Sequence, residues 1–245
     1  MIHIRHVTDP GSALAFAAEP RRLRLVWRYG EQIEWEVRMA ALSSRRDEGG
    51  LDAGRQATWL RRVRRDSGMP IETRQRRYAA PTVHACRAVV AVRTRWPERT
   101  DAFLRHLRVL ILGGEMADDS DTFEIAAERS GLPVRELAAW AASDEVAAAL
   151  DEDVAMAAGH RCPSFVLVET GEEIEDEGPF EPLWRAPDPT SVAEVLAWAP
   201  YPLATVEVAA VSGRRPTDVR AELEASGARF TAVNGDGYWS APSLR

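Results

Sequence analysis

The opening of the chain constrains its fold more than any other stretch. Residues 2–7 alternate loosely in polarity and run into Asp9-Pro10, as a strand ending in a turn should. Ser12 is placed to N-cap a helix over residues 13–27, where Leu14, Ala17, Leu23 and Val26 supply much of an apolar side. Pro20 sits inside that helix and predicts a kink or an early break. After Tyr29-Gly30 the run IEWEVRMAAL alternates through Ile33, Trp35, Val37 and Met39, the pattern of a half-buried strand. Two strands joined by so short a helical connection favour a parallel pair with a right-handed crossover. The start of the chain therefore calls for an α/β fold.

The middle of the chain is helical in pattern. ATWLRRVRRDSG is amphipathic, and residues 81–96 carry Val83, Cys86, Val89, Val90 and Val92. Thr100 is expected to cap DAFLRHLRVLILGG, Ser120 to open DTFEIAAERSG, Pro133 to stand at the first position of VRELAAWAA, and Ser143 to open DEVAAALDEDVAMAAG. Strand chemistry returns in SFVLVE, with a second short strand expected over residues 172–177, and SVAEVLAWA reads as a short helix. In the tail, VEVAAVSG and PTDVRAELEASG resemble a helix–turn–helix pair, and Asn234-Gly235-Asp236-Gly237 signals a hairpin. The expected organisation is an α/β core in residues 1–50 and 160–199, a helical insertion in 51–159, and a small winged-helix-like extension in 200–245.

Composition narrows the function classes. A net charge of −7 argues against broad nucleic-acid binding, and the second tail helix sets Asp218, Glu222 and Glu224 against Arg220, a poor surface for phosphates. DNA is therefore not an expected partner. The N-terminus lacks a signal peptide's basic start and apolar centre, and no apolar run is long enough to span a membrane, so cytoplasmic residence is expected. Every cationic side chain but histidine is arginine, which excludes lysine chemistry such as a Schiff base. Cys86 and Cys162 alone cannot supply a disulfide framework or a four-ligand zinc site, and the five histidines lack metal-ligand spacing, so no metal is expected. Residues 55–77 are strongly basic and 144–177 strongly acidic; either these are solvated faces or the basic segment borders a site for an anionic ligand or acidic partner.

The chemistry-bearing residues lie at two places. One is the strand-to-helix turn with Asp9 and Ser12. The other is His160-Arg161-Cys162-Pro163-Ser164, where an X-Pro bond immediately precedes a strand and is a candidate for the cis form.

Together these segments resemble the DsbA-like thioredoxin-fold proteins, in the FrnE-like and 2-hydroxychromene-2-carboxylate isomerase branch. That branch opens with strand–DPxCPWSWxxEP–helix, and DPGSALAFAAEP matches it at Asp9, Pro10, Glu19 and Pro20. Ser67-Gly68-Met69-Pro70 resembles the family's SGMP turn, and His84-Ala85-Cys86-Arg87-Ala88-Val89 its PAC-x-AV helix start. Cys162-Pro163-Ser164-Phe165 falls where the family has its cis-proline before a strand. The resemblance spans roughly residues 2–199 and implies a thioredoxin-like sheet with a helical insertion.

It also exposes a departure. Ser12 occupies the position of the family's nucleophilic cysteine and Ala15 that of the second, so the CxxC motif is lost. Dithiol exchange needs an attacking thiolate and a resolving thiol, and this pair offers neither. Three readings are open. In related kappa-class glutathione transferases and 2-hydroxychromene-2-carboxylate isomerases a serine replaces that cysteine and hydrogen-bonds a bound thiol; here glutathione or mycothiol would be held by Asp9, Ser12, Pro163 and Ser164, with carboxylate donors from the arginines of residues 61–77. Alternatively Cys162 is itself reactive, its pKa lowered near the helix N-terminus, or coupled to Cys86 across the cleft. In the third reading the cleft is a non-catalytic binding or adaptor surface for a protein partner, with Ala13, Leu14, Ala15 and Trp59 contributing. A homodimer is compatible with each. Against them stand plain structural roles, Ser12 as a helix cap and Cys162 as a small buried residue.

Overall fold

The computed structural model describes residues 1–45, 53–74, 78–175, 180, 182–233 and 236–242. Its first elements are strand β1 (Ile2–Thr8), helices α1 (Ala13–Ala17) and α2 (Glu19–Tyr29), and strand β2 (Ile33–Met39). β1 and β2 pair in parallel, from Ile2 opposite Ile33 to Thr8 opposite Met39. The helix breaks at Ala18, and Pro20 falls in the first turn of α2, where its missing N–H costs nothing. The break turns α2 so that Leu25 and Tyr29 pack with Ile4, Ile33 and Phe165 on the sheet. Each such side chain taken from water is worth about 1.5–3 kcal/mol.

Strand β3 (Ser164–Leu167) joins the free edge of β1 antiparallel, giving the order β2-β1-β3. The further strand expected over residues 172–177 is reduced, in its described part, to a bridge between Val166 and Glu173. Glu172, Glu173 and Glu175 are poor strand formers, which accounts for the short pairing.

Helices α3 (Ala53–Ser67), α4 (Val83–Arg95), α5 (Thr100–Gly113), α6 (Ser120–Arg129), α7 (Val134–Ala141) and α8 (Asp144–Ala157) lie between β2 and β3 in sequence. Their core, with Val89, Phe103, Leu107, Val146 and Leu150, includes Met39 of β2, so the insertion and the sheet share apolar contacts. Asp153 of α8, fully buried, adds a polar staple by accepting from Met39 N (3.0 Å), Arg38 Nη1 (2.8 Å) and Arg93 Nη1 (2.6 Å). Three expected helix starts move by one residue. Thr100 lies inside α5 behind a 3₁₀ turn at Pro97–Arg99, Asp119 rather than Ser120 caps α6, and Pro133 is the cap residue of α7. Ser143 caps α8 as expected, accepting from Val146 N.

After α9 (Val192–Trp198) the tail forms β4 (Leu203–Ala204), α10 (Thr205–Ser212), α11 (Pro216–Ala225), β5 (Arg229–Val233) and β6 (Asp236–Ser240). The strands pair antiparallel in the order β4-β6-β5, which with α10 and α11 is a winged-helix-like arrangement. The predicted turn at Asn234-Gly235 lies outside the described residues. This unit is docked on the core: Leu23 of α2 packs with Val195, Leu203, Val208 and Trp239. Arg105 of α5 donates to Glu207 Oε2 of α10 at 2.7 Å, and its guanidinium lies over Phe16, Tyr201 and Tyr238. Among the described residues no helix is long and apolar enough to cross a membrane.

Candidate functional site

Asp9 organises the end of β1. It is fully buried, and its carboxylate accepts from Gly11 N (2.7 Å), Leu42 N (2.9 Å) and Thr82 Oγ1 (2.7 Å), with the Cys86 thiol at 3.5 Å. One aspartate thus ties together the first turn, the segment after β2 and the start of α4. To bring its neighbour Leu42 N onto the carboxylate, Ala41 adopts a left-handed conformation with φ 43°. A non-glycine residue there costs about 1 kcal/mol, strain that the buried hydrogen bonds offset.

Ser12 follows that turn. Its Oγ accepts from Ala15 N at 3.2 Å, so it is the N-cap of α1. Its hydroxyl also acts on the Cys162 thiol, favouring the charged form. The Cys162–Pro163 peptide bond is cis, and β3 begins at the next residue. Asp9, Ser12 and Cys162 therefore line one open cleft of about 410 Å³, with Leu14, Leu42, Gln56, Trp59 and Thr82. Leu14, Leu42 and Trp59 are large apolar side chains left exposed on it.

The other candidates lie elsewhere. Pro163 and Ser164 line a separate groove with Arg21, Arg161 and Glu173, and the buried Ser164 Oγ has no hydrogen-bond partner. The arginines expected to receive cofactor carboxylates are not in the cleft lining either. α3 offers Gln56 and Trp59 to it, while Arg62 and Arg65 pair with Asp66, Arg61 donates to Thr58, and Arg74 pairs with Glu72. Arg76 and Arg77 lie outside the described residues.

The electrostatics oppose a reactive thiolate. Both cysteines are free. Burial first, and then the Asp9 charge, push the Cys162 thiol up to about 12; Arg108 and the Ser12 hydroxyl act the other way without prevailing. Burial and Asp9 likewise raise Cys86 well above the ordinary thiol value. The lowered pKa expected of Cys162 is thus replaced by a raised one, because burial, and after it the Asp9 carboxylate, disfavours the thiolate. Among the described residues no group of three or more His, Cys, Asp and Glu is arranged to hold a metal ion.

Behind the cleft lies an ionic cluster that sequence reasoning did not find. Glu19 is buried between Arg22, whose Nε donates at 3.0 Å, and Arg108, which also donates to Thr8 Oγ1. Burial alone would raise the Glu19 pKa, but Arg22 and Arg108 hold it at about 2. The matching Glu19-Pro20 pair was the available signal; its partner Arg108 lies in another helix, where periodicity offers no hint.

No protein-family profile matches the chain, and no curated protein matches it significantly. Solved structures do. A probable DsbA oxidoreductase from Streptomyces coelicolor aligns with a TM-score of 0.58 at 15% identity, covering 73% of this chain and 85% of that one. The cytosolic disulfide reductase DsbM from Pseudomonas aeruginosa, solved with GSH, aligns with a TM-score of 0.57 at 16% identity over 71% of this chain and 90% of its own. A putative protein disulfide isomerase from Nitrosomonas europaea gives 0.56 at 18% identity, over 71% and 87%. At such identities the likeness speaks to architecture, and the architecture is that of the DsbA-like thioredoxin fold, here with Ser12 and Ala15 at the turn that follows β1.

Proposed function

We propose that the cleft at Ser12 binds a low-molecular-weight thiol of the glutathione or mycothiol type and serves transferase or isomerase chemistry without a redox CxxC pair. The observation that carries this reading is the Ser12 hydroxyl, fixed at the N-cap of α1 on the wall of an open cleft that Cys162 also lines. A volume of about 410 Å³ suits a small molecule. The bound thiol would supply the nucleophilic sulfur. Ser12 would donate to it, and the first-turn N–H groups of α1 would add a modest positive field. Cys162, held as a neutral thiol, would flank the ligand rather than attack. Leu14, Leu42 and Trp59 would receive the apolar part of the co-substrate. Support also comes from the fold: a structure sharing it contains GSH. Two unpaired cysteines suit a reducing, cytoplasmic setting.

The test is thermal denaturation with millimolar glutathione or mycothiol, read as the ligand-induced shift in Tm. One of the two thiols should raise Tm, and Ser12→Ala should abolish at least nine-tenths of the affinity. Reading the shift rather than Tm itself separates binding from the cap, whose loss alone costs about 1 kcal/mol. If neither thiol moves Tm, the thiol reading fails. The non-catalytic binding reading then stands on the exposed Leu14, Leu42 and Trp59.

A further inference from the structure

A second cavity, of about 450 Å³, opens between β1, β2, α2 and the start of α5. It shares no lining residue with the Ser12 cleft. Three of its lining side chains carry a buried polar atom with no hydrogen-bond partner: His6 Nε2, Trp35 Nε1 and Thr100 Oγ1. His6 is 1% exposed and Thr100 6% exposed. An unpaired buried polar atom costs about 1–3 kcal/mol, so three around one cavity ask for an occupant that satisfies them together.

Their chemistry specifies the occupant. Trp35 Nε1–H can only donate, and the Thr100 hydroxyl can donate. His6 is neutral, since burial and the neighbouring Arg108 and Arg22 depress its pKa despite the opposing charge of Glu19. In its Nε2–H tautomer it donates as well. A ligand with several acceptor sites in one group meets all three. A carboxylate, with about four lone-pair sites on two oxygens, can accept from all three, whereas an amide carbonyl has two. The cationic side chains on the wall, Arg22, Arg38 and Arg93, are 8%, 22% and 19% exposed, whereas the lining carboxylates Glu34 and Asp101 are 61% and 52% exposed at the mouth. Glu36, the remaining lining carboxylate, is already paired with Arg5 and Arg38. The arginines are paired in turn, Arg22 with Glu19 and Asp101, and Arg38 and Arg93 with the fully buried Asp153, so the charges of the wall balance. Val26, Val37 and Pro97 complete an apolar wall.

We propose that this cavity binds a small organic carboxylate, its headgroup received by Thr100, Trp35 and His6 and its apolar body by Val26, Val37 and Pro97. The site is independent of the thiol cleft.

The experiment is a titration of the full chain with benzoate, with benzamide as the uncharged isostere, followed by the indole N–H resonances in ¹H–¹⁵N spectra. Benzoate should saturate in the millimolar range and shift one indole signal, assigned by its loss in Trp35→Phe, while benzamide binds at least tenfold more weakly. Thr100→Val, which removes an unpaired hydroxyl without changing shape, should keep the fold and weaken benzoate at least fivefold. Ser12→Ala should leave benzoate binding unchanged. Equal binding of the two probes, no saturable shift of the Trp35 signal, or full affinity in Thr100→Val would each overturn the proposal and leave ordered water as the occupant.

Discussion

Cys162 illustrates how neighbours set the chemistry of a single residue. Its sulfur stands on an open cleft, yet burial and Asp9 keep it protonated far above the ordinary thiol value. Alkylation by iodoacetamide at pH 7–9 should therefore run at least tenfold slower than for the same thiol in urea, rising with pH without a plateau near 9. A folded-state rate matching the denatured one, or a plateau near pH 9, would count against the buried-carboxylate account. Asp9, Ser12 and Cys162 were legible as candidates because the strand–turn–helix and X-Pro–strand patterns are local. Thr82 and Cys86 were not legible as partners of Asp9, since the first lies 73 positions away and only the folded chain brings them together. The direction of the thiol's shift was misread for a related reason: a motif shows which helix is near, but not how deeply a carboxylate is buried beside it.

At the scale of elements, the turn after α3 has an unusually strict requirement. Gly68 has φ +71°, and a Cβ there would stand 2.5 Å from Cγ1 of Val206 in α10. Gly68→Ala combines backbone strain with a clash and should lower stability by about 2 kcal/mol in urea unfolding. Adding Val206→Ala should recover the steric part and leave the strain, so the pair should be non-additive. Strict additivity would show that Val206 is not the obstacle. Element types were readable from periodicity and breakers, as with Pro20 and the split into α1 and α2. Cap positions were readable less well, because Asp119 and Ser120 are adjacent and both chemically able to cap.

Across the whole molecule, buried titratable groups set the pH response. His6 and His106 are both depressed by burial first and nearby arginines second, His106 to about 4. On unfolding each takes up a proton near its ordinary 6.5, so stability should fall as pH drops below that value. Glu19 adds a second phase. Its ionised form is favoured in the fold, and that contribution, complete above about 4.5, is lost as pH falls toward about 2. Urea midpoints measured from pH 7 to pH 4 should decline steadily, and His106→Gln should flatten the slope between 6.5 and 4. An unchanged slope in that variant would remove His106 from the account. None of this was readable beforehand, since the burial of His6 depends on which face of β1 meets α2, and that of His106 on how α5 packs beside Ser130.

The docking of the tail on α2 has a consequence for how the protein is made. Arg24 of α2 donates to the carbonyl of Val211, 187 positions further along the chain, and Leu23 is covered by side chains as distant as Trp239. β1 likewise waits for β3 before its second edge is paired. A ribosome that has translated the insertion has therefore finished the helical core, while α2 still presents leucines and arginines to solvent or to a chaperone. Helix α2 is thus made early and covered only when the tail strands have been made.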